Sequence, residues 1–196
     1  MFVFLALVLP KLLPYLGYRQ AQNMQETEDR YLQAYKNQVS GKKEKFSASI
    51  ESLGVIDKAF KKCLINELDI YTKMGPGSSG AISDIHELKS LRCDGYGIRS
   101  LDGIDDLKNL TQLSLIRNDI RSLYPLRYHP NLQSIELGQN REISTIDVLS
   151  SIKTLRRVGF PRLDEKYCDS ARKVVDSMKS RHGNRASSNL RSTCRG

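Results

Sequence analysis

A chain whose leucines repeat in a fixed register has few folds open to it, and this one repeats them through the middle of its length. One unit reads Leu110-x-x-Leu113-x-Leu115-x-x-Asn118, followed by Ile120, Leu123 and Leu126. The next reads Leu132-x-x-Ile135-x-Leu137-x-x-Asn140, then Ile143, Ile146, Leu149 and Ile152. The unit before reads Leu88-x-x-Leu91-x-Cys93, then Ile98, Leu101, Ile104 and Leu107. A degenerate earlier unit reads Ile65-x-x-Leu68-x-Ile70, then Ile82 and Ile85, and a partial last one reads Leu155-x-x-Val158-x-Phe160. The step between units is 22 or 23 residues. Self-similarity at such a period marks a stacked repeat rather than a closed globule.

The spacing has a physical reading. Side chains alternate across a strand, so Leu113 and Leu115 point inward while Gln112, Ser114 and Ile116 point out. A single unit cannot bury its apolar face alone, and stacking makes one continuous core. Asn118 and Asn140 stand where the chain leaves the strand, and their amides can satisfy backbone groups that would otherwise lack partners. Ile120, Leu123 and Leu126 line the inner side of a return arm, and their three-residue step suits 3₁₀ turns.

In this register the chain resembles the leucine-rich-repeat proteins of the short, bacterial internalin-like type, over residues 65–160. The resemblance implies an α/β repeat solenoid with a parallel concave sheet, flanked by helical caps. It also implies a protein that binds other proteins along that concave surface. Two positions depart from the pattern: Tyr96 and Lys73 stand where the asparagine is expected.

The flanks divide into further segments. Residues 2–18 are apolar apart from Lys11, with Pro10 and Pro14 inside them, and read as a hydrophobic signal or membrane anchor. A central lysine costs about 2.5–3.5 kcal/mol on membrane insertion, and no basic residue precedes Phe2, so anchor and cleaved signal stay open. Residues 19–45 read as a helical spacer, with Thr27 as N-cap and Tyr31, Leu32, Tyr35 and Val39 at helical spacing. Residues 46–64 read as the N-terminal cap, with Asp57 capping a helix that carries Ala59, Phe60, Cys63 and Leu64 on one face. At the other end Asp164 starts a cap helix with Tyr167, Ala171, Val174, Val175 and Met178 on one stripe, ending near Gly183. Residues 183–196 are basic and poor in apolar side chains, which predicts a disordered tail.

Charge narrows the function. The formal net charge is +9, but residues 65–160 hold 12 Lys/Arg against 12 Asp/Glu. The excess lies on the flanks, whereas a nucleic-acid reader carries it on its folded surface. Nucleic acid is therefore not an expected partner. No cofactor or catalytic motif is present. The Gly-rich GPGSSG stretch at 75–80 lacks the Gly-Lys-Ser/Thr of a phosphate loop. No CxxC occurs, and His86, His129 and His182 are scattered in turn or tail contexts. Cys93 takes an inward leucine position and is expected to stay a buried, reduced thiol. Cys168 and Cys194 are expected to pair if the domain is exported. Asn109-Leu110-Thr111 is a glycosylation sequon, a three-residue match that arises easily by chance.

The expected function is a non-catalytic adaptor or immunity-like module that holds another protein in the cell envelope or outside the cell. The alternative is a structural envelope protein touching membrane or wall polymers through its basic ends. If the units stack in register, the outward strand residues form columns. One runs Glu67, Ser90, Gln112, Ser134, Arg157; the next runs Asp69, Arg92, Ser114, Glu136, Gly159; a third runs Tyr71, Asp94, Ile116, Gly138, Pro161. Tyr71, Arg92, Ile116, Glu136 and Arg157 are the expected anchors of the contact, with Glu67, Asp69, Asp94, Gln112 and Ser114 around them.

Overall fold

A computed structural model of the chain describes residues 26–27, 29–30, 32–34, 36–37, 40–41, 48–73 and 84–194. Two compact units divide it, Met1–Lys42 and Lys43–Gly196. In the first, the described residues of 26–41 are helical. The apolar segment 2–18 and the loop 75–80 lie outside the described residues.

The second unit is a leucine-rich-repeat solenoid. Five parallel strands follow one another in chain order: β1 (Ser90–Arg92), β2 (Gln112–Ser114), β3 (Ser134–Glu136), β4 (Arg157–Gly159) and β5 (Ser187–Ser188). Leu91 pairs with Leu113, Leu113 with Ile135, and Ile135 with Val158, so the four inward positions stack in one column as the spacing requires. Each is essentially buried. Return arms cross behind the sheet through 3₁₀ turns at Ile104–Asp106, Tyr124–Leu126 and Ile146–Ser151. Ile98, Leu101, Ile104 and Leu107 of the first arm, and their counterparts in later repeats, join one core.

The asparagine ladder forms as expected where the residues exist. Buried Asn118 donates through Nδ2 to Cys93 O (2.7 Å) and Leu115 O (3.0 Å) and accepts from Ile98 N (3.0 Å). Asn140 repeats this with Leu115 O, Leu137 O and Ile120 N. Each amide therefore joins two successive repeats. In the first repeat Tyr96 takes that place, and Asn66 reaches its hydroxyl at 3.2 Å. The residue leaving the strand is left-handed in each of these three repeats: Gly95 (φ 74), Arg117 (φ 58) and Gln139 (φ 60).

The ends depart from the sequence reading. Residues 65–70 are not a degenerate strand: α1 runs Lys58–Lys73 without a break. Phe60, Cys63, Leu64 and Leu68 are buried along it, whereas Ile65 is 41% exposed. A Leu-x-x-Leu step fits a helix face as well as a repeat strand, and here the helical stripe wins. The segment 183–194 is not disordered either. After α2 (Glu165–His182) the chain makes a 3₁₀ turn at Gly183–Arg185, pairs as β5 with β4, and closes with the short α3 (Leu190–Thr193). Few apolar residues are needed there, because the segment is held by backbone pairing and a covalent tie.

That tie is the Cys168–Cys194 disulfide, as expected. Cys93, expected to be reduced, is instead bonded to Cys63 of α1. It is fully buried, but its neighbour in the core is a second cysteine rather than an apolar side chain. Reading 65–70 as a strand hid how directly α1 faces β1.

Candidate functional site

The outward face of the sheet is ordered by the strand register. Ser90, Gln112, Ser134, Arg157 and Ser187 pair along one column, and Arg92, Ser114, Glu136 and Gly159 along the next. The column members expected upstream do not join them on a strand. Glu67, Asp69 and Tyr71 fall on α1, and the side chains of Asp69 and Tyr71 lie outside the described residues.

Two residues expected at the interface support it from beneath. The Glu67 carboxyl of α1 stands near the Arg92 backbone at the edge of β1; burial raises its pKa, while the Arg92 backbone N–H and charge oppose the rise. Asp94 accepts from Ser114 Oγ (2.6 Å) and Ile116 N (2.9 Å), tying the first two repeats together. Its contact with the Arg92 guanidinium is long, 3.9 Å, with the arginine side chain 79% exposed. Such a pair contributes little, on the order of 0–1 kcal/mol, and leaves Arg92 available.

Two longer side chains lie across glycines of the next repeat. A Cβ added at Gly138 would meet the Ile116 side chain at 3.7–3.9 Å. One added at Gly159 would fall on the Glu136 carboxylate. Glycine thus leaves a notch that each side chain fills, so Ile116 and Glu136 are half-buried on the face. Glu136 has no hydrogen-bond or ion-pair partner among the described residues, a charge held on the sheet with nothing opposite it. Gln112 and Arg157 are exposed. Arg92, Gln112, Ile116, Glu136 and Arg157 therefore share one face.

Elsewhere, polar residues serve the fold. Asn109 of the sequon donates to His86 O at 2.9 Å. His129 follows a turn and is buried there; its Nδ1 accepts from Leu132 N and its Nε2 meets Leu107 O at 3.2 Å. Among the described residues no group of three or more His, Cys, Asp or Glu is placed to hold a metal ion, and no helix is long and apolar enough to cross a membrane. A feature the repeat pattern did not foretell lies on the return arms: Tyr124, Arg127 and Tyr128 form an exposed cluster. Its only sequence signal is two tyrosines at positions the leucine register does not bury.

No protein-family model matches the chain, and no curated protein sequence matches it. Among solved structures, the internalin inlF of Listeria monocytogenes is similar at 22% identity and TM-score 0.45, over 60% of this chain and 34% of that one. Internalin C2 of the same species is similar at 17% identity and TM-score 0.45, over 61% of this chain and 51% of that one. The chain spans about half the length of these internalins or less. At this identity the likeness concerns the fold alone, which the sheet register and buried leucine columns describe independently.

Proposed function

We propose that this chain is a non-catalytic protein-binding module that holds a partner protein on the outward face of its sheet. One observation supports the reading most: strand pairing sets Arg92, Gln112, Glu136 and Arg157 on one surface, with Ile116 just beyond β2, and Glu136 stands there without a partner among the described residues. Mixed charge around one aliphatic anchor suits a specific, partly polar interface. Arg92, Ile116, Glu136 and Arg157 would carry the contact energy, with Glu67 and Asp94 holding the strand edge beneath Arg92. Both disulfides suit an oxidising compartment, so the module would act outside the cytosol, in the envelope or beyond the cell. The alternative role through basic ends has less support, because residues 183–194 are folded into the cap rather than free.

The test uses the full chain as bait to obtain a co-purifying partner, then measures that partner's affinity for Arg92→Ala, Ile116→Ala, Glu136→Ala and Arg157→Ala, with folding checked by circular dichroism. Truncating an anchor is expected to cost about 1–3 kcal/mol, roughly 5- to 150-fold in Kd. If all four variants fold and bind like the parent, the sheet-face reading is wrong.

A further inference from the structure

We infer that the hollow between the first two return arms is a saccharide-binding site, which takes a neutral sugar unit against Tyr124. It lies across the core from the sheet and does not depend on the sheet-face reading.

The site begins with a repeated tetrapeptide. Ile98-Arg99-Ser100-Leu101 recurs one repeat later as Ile120-Arg121-Ser122-Leu123. The isoleucine and leucine of each copy are fully buried in the core. The arginines between them are exposed and the serines half-buried. The next unit reads Ile143-Ser144-Thr145-Ile146, so the Arg-Ser pair occurs on these two arms and not on the third. Both pairs line an open hollow of about 450 Å³, within the range of about 300–1,000 Å³ usual for small-molecule sites. Asp102, Asp105 and Tyr124 line it too, and only Gly103 and Pro125 bring no polar side chain.

Much of this lining has bonding capacity to spare. The Asp105 carboxylate and the Arg99 guanidinium have no hydrogen-bond or ion-pair partner among the described residues. Asp102 accepts the Ser100 hydroxyl on one oxygen, at 2.5 Å, and its other oxygen has no partner among the described residues. Arg121 meets Glu142 through Nε at 2.8 Å, and its two terminal nitrogens have none there. Tyr124 is 56% exposed. Arg127 donates to the Tyr124 hydroxyl at 2.8 Å and holds the ring without itself lining the hollow. An aromatic surface is thus fixed before any ligand arrives.

This composition selects the ligand by what it refuses. Two guanidiniums and two carboxylates balance, so an anion would face Asp102 and Asp105, and a cation would face Arg99 and Arg121. An apolar ligand would strip water from those groups and give nothing back. A sugar hydroxyl both donates and accepts, so one neutral ligand can donate to the carboxylates and accept from the guanidiniums. A sugar ring also carries a face of C–H groups, which suits the tyrosine ring. A zwitterion could answer both charges but has no such face. The hollow is open, so the sugar can belong to a longer glycan or polymer.

The test follows amide NMR shifts of the full chain during titration with cellobiose, maltose, lactose and chitobiose, with inorganic phosphate and glycylglycine as the charged comparisons. Saturable shifts centred on the Ser100, Gly103, Ser122 and Tyr124 amides are expected with at least one disaccharide. A Kd on the order of 1 mM is expected, since an open hollow leaves much of the ligand wet. Tyr124→Ala and Asp105→Ala should each weaken that binding roughly fivefold or more, whereas Arg157→Ala on the sheet should leave it unchanged. Circular dichroism checks folding, and Asp105, exposed and unbonded, keeps the test open if Tyr124→Ala fails to fold. The proposal is overturned if no disaccharide gives saturable shifts, or if phosphate or glycylglycine binds in place of sugar. Shifts centred outside the hollow, unchanged affinity in the hollow variants, or a loss in Arg157→Ala would overturn it equally.

Discussion

Asp57 divides its carboxylate between two parts of the chain. One oxygen accepts from Ala59 N and Phe60 N and so caps α1. The other accepts from Arg99 N (2.8 Å) and Ser100 N (3.0 Å), at the start of the first return arm. Burial works to raise its pKa, but these four N–H groups prevail and hold it below the ordinary 3.8. Its stabilisation is therefore complete above that value and is lost as pH falls through the lower folded one. Asp57→Ala should cost about 2 kcal/mol near neutral pH, combining a lost cap with unsatisfied loop donors. Denaturant titrations at pH 7 and pH 3 should show a smaller gap between parent and variant at the lower pH. His129 acts in a different window. Burial depresses its pKa below 6.5 despite the opposing Leu107 carbonyl and Asp105 charge. The unfolded chain then binds a proton that the folded one resists, so stability is full above about 6.5 and declines as pH falls below it. A glutamine can donate to Leu107 O and accept from Leu132 N, but does not titrate. His129→Gln should flatten the melting temperature between pH 7 and pH 5, where the parent's falls. An equal fall in both would remove His129 as its source.

At the scale of elements, β1 and β4 each have backbone groups that no full-length neighbouring strand covers. At β1, the helical Glu67 carboxyl stands near the Arg92 backbone N–H. Beyond β4, the Asn189 amide accepts from Phe160 N (2.7 Å) and donates to Phe160 O (3.0 Å), standing in for one peptide of a further strand. A disulfide holds each substitute in place, from Cys63 on α1 and from Cys194 beside α3. Docking of the N-terminal cap depends on Gly103, at φ 89, where a Cβ would strike Leu53 O and Val55. Gly103→Ala should therefore destabilise the unit by more than about 2 kcal/mol, whereas Gly159→Ala, which only displaces the flexible end of Glu136, should cost far less. Equal losses in thermal denaturation would contradict the tight cap contact. These cap details were not legible in sequence, since Glu67, Gly103 and Asn189 act once each and belong to no period. The strand columns were legible because Leu91, Leu113, Ile135 and Val158 recur with one spacing, and that spacing alone fixes which neighbours face outward.

Across the whole repeat unit, stability accumulates between neighbours, so loss can begin at an end and advance one repeat at a time. The ends are also where the covalent ties lie. The sequence separations are 30 residues for Cys63–Cys93 and 26 for Cys168–Cys194. By the chain-entropy account each contributes about 3.5 kcal/mol. The two bonds differ in access, because Cys63 and Cys93 are both fully buried while Cys194 is half-buried. A mild reductant should open Cys168–Cys194 first. β5 and α3 are then expected to leave β4, because two strand residues, one asparagine amide and the half-buried Ala186 and Leu190 make a small attachment. The centre should persist, since Leu115 N and Leu137 N donate within the ladder between β2, β3 and β4, and Asn140 bridges the repeats of β2 and β3. Hydrogen exchange of the full chain, followed during reduction, checks this order. The Ser187 amide, which donates to Arg156 O, should lose protection first. The Cys93 and Gly95 amides should follow only when the buried bond opens, and those of Leu115 and Leu137 last. Simultaneous loss at all these positions would mean that the repeats unfold as one unit and that the disulfides do not act as separate end-locks.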